Sequence, residues 1–162
     1  MKRSEINAII RDIEAFLLRL NVCLPPFASW SVPQWRQKGP EVREIVDRQL
    51  GWDITDFGSG RFRTCGLVLF TLRNGTVADL KTGGGKLYAE KILIADVGQV
   101  TPMHFHWSKT EDIINRGGGD LALRLYQSTA DEQLADREVT VSLDGVVRRV
   151  PAGGMVTLRP GE

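Results

Sequence analysis

Two histidines stand in this sequence, and they stand one residue apart, at His104 and His106. Successive side chains of an extended strand point to opposite faces, so residues i and i+2 share a face and the two imidazoles can reach one ion. Glu111, five residues beyond His106, offers a carboxylate as a third candidate ligand. Nitrogen and carboxylate oxygen together suit a divalent first-row metal such as Mn, Fe, Co, Ni or Zn rather than calcium, which takes oxygen alone. Lys109 lies inside the same stretch. Its ammonium does not serve readily as a ligand. From the residues alone it is either a solvated charge in a surface turn or a cation that acts on charge developing in a substrate.

The ligands need a rigid frame, and the pattern of the whole chain describes one. Gly98 and Gly118 bracket the stretch, giving G-x5-H-x-H-x4-E-x6-G. Ile6, Ile9, Ile10, Ile13, Phe16, Leu17 and Leu20 recur at helical spacing behind Ser4, which predicts an amphipathic helix over residues 5–20 with Ser4 as its cap and a sheet to cover. Residues 24–35 break that period and predict an ordered loop carrying Trp30 and Trp35. Pro40 to Leu50 predicts a second helix that stops at Gly51.

From residue 52 the texture becomes short β-rich runs. Strands are expected over 66–72, ending at the turn signal Asn74-Gly75, and over 86–97, 102–107 with the histidines, 112–115 and 121–127. Val139, Val141 and Leu143 alternate up to Asp144-Gly145 and the chain returns over 146–150, a hairpin signature; a last strand covers 155–158. Such spacing describes a β-barrel or sandwich with the helices packed outside. Trp107 should fall on the face opposite the histidines and pack there.

Two triple-glycine stretches test a phosphate-loop reading. Gly83-Gly84-Gly85-Lys86 lacks the earlier glycine of a P-loop and has Leu87 where Ser or Thr is required, so the reading is rejected. Gly117-Gly118-Gly119 reads as a turn that needs positive φ, with close approach of a substrate to the backbone as the second reading.

Bulk properties exclude several function classes. With 162 residues the chain is one domain's worth, and 21 basic against 20 acidic side chains leave a net charge of +1, so no field draws in nucleic acid or an anionic membrane. No apolar run approaches a membrane span, and a cytoplasmic location is expected. Cys23 and Cys65 form no C-x-x-C and suggest neither a redox dithiol nor a disulfide framework.

The spacing G-x5-H-x-H-x4-E-x6-G resembles the first metal-binding motif of the cupin superfamily, small jelly-roll β-barrels with a metal in the barrel mouth. Within it, the run from His104 to Gly119, the helical N-terminus with Leu24-Pro25-Pro26-Phe27, and the stretch Asp53-Ile54-Thr55-Asp56-Phe57-Gly58 resemble the D-lyxose ketol-isomerase family over essentially the whole chain. The resemblance implies a mainly β cupin barrel over 52–162 with a helical region, 1–51, packed on it. It implies a manganese-dependent homodimer that interconverts D-lyxose and D-xylulose, and often D-mannose and D-fructose, other divalent first-row metals being possible. It makes His104, His106 and Glu111 metal ligands and Lys109 the catalytic group beside a small sugar.

The family also has a further histidine ligand and a later catalytic glutamate, and neither is in this sequence. The chain reaches Glu162 where a glycine, a Pro-x-Gly and then that histidine would follow. The expectation is the N-terminal portion of a longer protein, with later barrel strands missing, weak manganese binding and little isomerase activity of its own. Rival readings are another metal cupin (a sugar-phosphate isomerase or an oxygenase), a non-catalytic sugar-binding cupin, and a purely structural barrel. Extra cations on inward strand faces would favour the phosphate enzyme, oxygen consumption with iron the oxygenase, and sugar binding without turnover the binding module.

Overall fold

The computed structural model describes residues 1–162. The chain divides into two compact units, Met1–Met103 and His104–Glu162.

In the first unit the long helix α1 (Arg3–Arg19) covers a three-stranded antiparallel sheet of order β1-β2-β3, with β1 at Gly51–Thr55, β2 at Leu67–Asn74 and β3 at Ala89–Ile94. Residues opposite one another on antiparallel strands share a face. Val68 stands between Ile54 and Ile94, and Phe70 between Trp52 and Ile92. The first row closes against Ile9 and Leu17 of α1, with Ile13 and Phe16 packed alongside. Phe70 is fully buried, with the Phe27 ring stacked at 5.5 Å between centroids and Trp52 edge-on at 4.9 Å. Trp52 Nε1–H donates to the Ala28 carbonyl at 3.0 Å, so the ring's one polar atom has a partner. Burying each such aliphatic or aromatic side chain contributes about 1.5–3 kcal/mol.

Several expected elements differ in form. Helix α1 begins at Arg3, so Ser4 lies inside its first turn, and the Glu5 carboxylate instead accepts the Lys2 N–H at 2.6 Å. The expected loop over 24–35 contains a 3-10 turn at Pro26–Ser29 and the start of a short helix α2 (Val32–Arg36), at whose cap the Ser31 N–H donates to Gln34 Oε1. The second predicted helix is a 3-10 turn (Pro40–Val42) followed by α3 (Arg43–Asp47), and Gly51 opens a strand rather than ending the helix. Asn74-Gly75 is no tight hairpin: β2 and β3 are neighbours, but helix α4 (Val77–Thr82), capped by Thr76, is inserted between them. Gly83, at φ 67°, ends that helix, and Lys86 pairs with Glu44, so the first triple-glycine stretch is structural.

The second unit contains β4 (Leu121–Arg124) paired with β9 (Met155–Leu158), β5 (Gln127–Ser128) with β6 (Leu134–Ala135), and β7 (Val139–Leu143) with β8 (Val146–Val150), all antiparallel. The β7–β8 hairpin turns at Asp144 and Gly145, both at positive φ, which matches the right-handed twist of the strands. Ala135, Val150 and Leu158 are the buried apolar side chains of the second unit. The fold class agrees with expectation: mainly β, antiparallel, with the helices concentrated N-terminally, and no sheet closing into a barrel. No helix is long and apolar enough to cross a membrane.

Candidate metal centre

The segment that carries the histidines is not a strand. Residues 102–115 form no regular element, and the strands expected over 102–107 and 112–115 are absent. The geometry expected of the side chains nevertheless holds. The His104 and His106 rings stand 5.1 Å apart, and the Phe105 and Trp107 rings 4.9 Å apart, so side chains alternate along extended backbone that lacks a paired neighbour. Trp107 is 76% exposed and meets the edge of Phe105, which corrects the expectation that it packs into a core.

Both glycines that bracket the motif adopt backbone that other residues reach at a cost, Gly98 at φ 72° and Gly118 at φ 92°. They turn the chain into and out of the ligand segment.

His104, His106 and Glu111 converge. One candidate ligand atom from each lies within 4.8 Å of the others. His106 Nε2 lies 3.1 Å from Glu111 Oε1, and Lys109 Nζ donates to the same oxygen at 2.6 Å. Partial burial pushes the Glu111 carboxyl up, but the Lys109 hydrogen bond and charge, with help from His106, outweigh it and leave the pKa below its ordinary value. Glu111 is therefore a carboxylate at neutral pH, ready to receive a cation.

Ligands about 2.1 Å from a common ion stand roughly 3–4 Å from one another, so this set needs only a small inward adjustment to share one. Two nitrogens and a carboxylate oxygen are a borderline donor set that fits manganese, iron, cobalt, nickel or zinc. On both counts, spacing and chemistry, the residues present fit a divalent first-row ion.

Asn115 had no assigned role from the sequence beyond its place in an expected strand. It is buried, and its side chain and backbone fasten the end of the ligand segment. Asn115 Nδ2 donates to the carbonyls of Gly119 and Leu158, both at 2.8 Å, while Oδ1 accepts the Gly117 N–H at 3.1 Å. Its backbone N–H donates to the Glu162 carbonyl and its carbonyl accepts the Gly161 N–H, each at 2.7 Å. The residue ties the turn that follows Glu111 to β9. An Asn two residues before a glycine run is a recognised turn signal and could have flagged the local part of this arrangement. The bonds to Leu158, Gly161 and Glu162 span more than forty residues and leave no local trace.

A family model described as D-lyxose isomerase matches residues 1–162. The chain is 48% identical over 163 residues to a D-lyxose/D-mannose isomerase of Escherichia coli O157:H7, with all of this chain and 71% of that protein covered. It is 47% identical, with the same coverage, to a D-lyxose/D-mannose isomerase of Serratia proteamaculans.

Proposed function

Because this chain belongs to the D-lyxose isomerase family, we propose that it is a metal-dependent aldose–ketose isomerase that interconverts D-lyxose and D-xylulose, with D-mannose and D-fructose as a second pair. The observation that carries this reading is the convergence of His104, His106 and Glu111 in a chain that the family matches from end to end. The ion we assign is manganese, held by His104, His106 and Glu111, and the assembly we assign is a homodimer. Neither a sugar-phosphate isomerase nor an oxygenase is favoured by any observed feature of the site.

Aldose–ketose isomerisation moves a hydrogen between the first and second carbons of the sugar, and negative charge gathers on the oxygens those carbons bear. A divalent ion bound at the three ligands would supply Lewis-acid polarisation of those oxygens. The protein's own groups divide the remaining work. His104 and His106, alternating to one side of an extended segment, present nitrogen to one point. Glu111 adds a negative oxygen. Lys109 Nζ carries protons on a mobile four-carbon stem, so it can face developing negative charge and deliver a proton to a sugar oxygen.

The test is conversion of D-lyxose to D-xylulose by the protein expressed from its natural gene, with manganese and after complete chelation. We expect turnover only with metal, and loss of both turnover and manganese binding in His106→Ala. Lys109→Ala should lower kcat about 100-fold or more, far beyond its effect on metal affinity. Equal activity after complete metal removal would refute the metal-dependent reading, and unchanged turnover in Lys109→Ala would return that residue to an idle surface charge.

A further inference from the structure

One oxygen of the site has two claimants. Glu111 Oε1 lies 3.1 Å from His106 Nε2, and the Lys109 ammonium is hydrogen-bonded to that same atom at 2.6 Å. Lys109 thus holds an oxygen of the group His104, His106 and Glu111, whose candidate ligand atoms all lie within 4.8 Å of one another. A divalent ion about 2 Å from Glu111 Oε1 would lie less than about 5 Å from an ammonium left 2.6 Å from the same oxygen. Two cations so close, around one carboxylate that is only partly screened, repel strongly. The carboxylate has a second oxygen, but the oxygen that faces His106 is the one Lys109 occupies.

We propose that Lys109 is the site's exchangeable internal cation: its ammonium and a divalent metal are alternative partners of Glu111 Oε1, and metal binding displaces Lys109 from that oxygen. The proposal rests on the reading of His104, His106 and Glu111 as metal ligands. The pairing supports either state of the carboxylate. With Lys109 in place, Glu111 keeps a partner for its charge and stays beside His106. With metal in place, the lysine is released on a flexible stem from a position that is half exposed, free to meet a sugar held against the metal. Loading of the metal and liberation of the ammonium then become one event.

Two measurements on the protein expressed from its natural gene test this. Calorimetric manganese titrations compare the unaltered protein with Lys109→Met, which keeps the stem and removes the charge, and with Lys109→Arg, which keeps the charge. Exposed lysine–carboxylate pairs are weak, so removal of the competitor should tighten manganese binding on the order of 3- to 10-fold in Lys109→Met, while Lys109→Arg stays near the unaltered value. Separately, the rate at which an amine-acylating reagent modifies Lys109, followed by peptide mass spectrometry, should rise several-fold when manganese is added. Equal or weaker manganese binding by Lys109→Met, or a labelling rate that manganese leaves unchanged or lowers, overturns the exchange. If neither the unaltered protein nor Lys109→Met takes up manganese, the ligand assignment itself fails and the exchange falls with it, an outcome distinct from normal binding that Lys109 does not influence.

Discussion

Strand β2 and the ligand segment 102–115 show two ways of holding a chain in one conformation. In β2, Val68 and Phe70 are 1% and 0% exposed, and the strand is hydrogen-bonded to a neighbour on each side. In the ligand segment no strand pairing exists, and His104, Phe105, Trp107, Lys109 and Glu111 are all exposed. The first is held by burial, which is non-directional and sums over many contacts. The second is held by directional polar bonds, among them the Lys109 and His106 contacts to Glu111 in its middle and the Asn115 cluster at its end. Loss of one hydrogen bond matters less to a sheet held by burial than to a segment held by directional bonds. A binding site placed on the second kind of structure can adjust to an ion, and it also depends on each of its polar partners.

The largest effect should come from the sheet. Phe70→Ala removes a ring packed between Phe27 and Trp52 and should cost about 3–5 kcal/mol, read as a fall in the denaturant midpoint. A cost below about 1 kcal/mol would mean that the sheet is not held by burial, and the contrast would collapse.

The next effect sharpens the other side of the contrast. Asn115→Ala deletes three side-chain hydrogen bonds and takes the amide donor from the carbonyl of buried Leu158, with an expected cost of about 2–3 kcal/mol. Unlike the change at Phe70, it should also raise amide exchange across residues 111–119, because those bonds fix the turn. Exchange confined to the sheet would assign Asn115 to general packing instead.

The smallest effect concerns a polar contact built into the well-buried unit. Asp79 accepts the Thr76 N–H at 2.8 Å and pairs with Arg48 at 2.9 Å. The Thr76 backbone bond first, and the Arg48 hydrogen bond next, hold its carboxyl below the ordinary aspartate value. A carboxyl depressed in the folded state binds its proton more readily when unfolded, so its stabilising contribution is complete above the unfolded value of about 3.9 and fades as pH falls through the lower folded value. Asp79→Asn should therefore lower stability modestly at neutral pH and flatten the acid limb of the stability–pH curve. Parallel curves for the two proteins across that range would show that Asp79 takes no part in acid unfolding.

Much of the structure could be read before any coordinate was known. The i, i+3, i+4 recurrence of Ile9, Ile13, Phe16 and Leu17 requires a helix that buries one stripe, and α1 buries that stripe. Asp144-Gly145 between alternating runs requires a two-residue turn, and β7 and β8 form one hairpin around it. The spacing of Gly98, His104, His106, Glu111 and Gly118 identified both the donors that meet and the glycines that turn, because side-chain alternation and positive φ are properties of a few neighbouring bonds. What depends on distant partners was settled only by the fold. Local pattern made residues 102–107 a strand, but a strand needs a neighbour, and none pairs with it. Asn74-Gly75 suggested a tight hairpin, yet β2 meets β3 only after helix α4. Asn115 became the anchor of the ligand segment through carbonyls supplied by β9 and the residues after it. Periodicity and turn chemistry are written in adjacent residues; which strand finds a neighbour and which polar atom finds a distant one is decided when burial brings remote segments together.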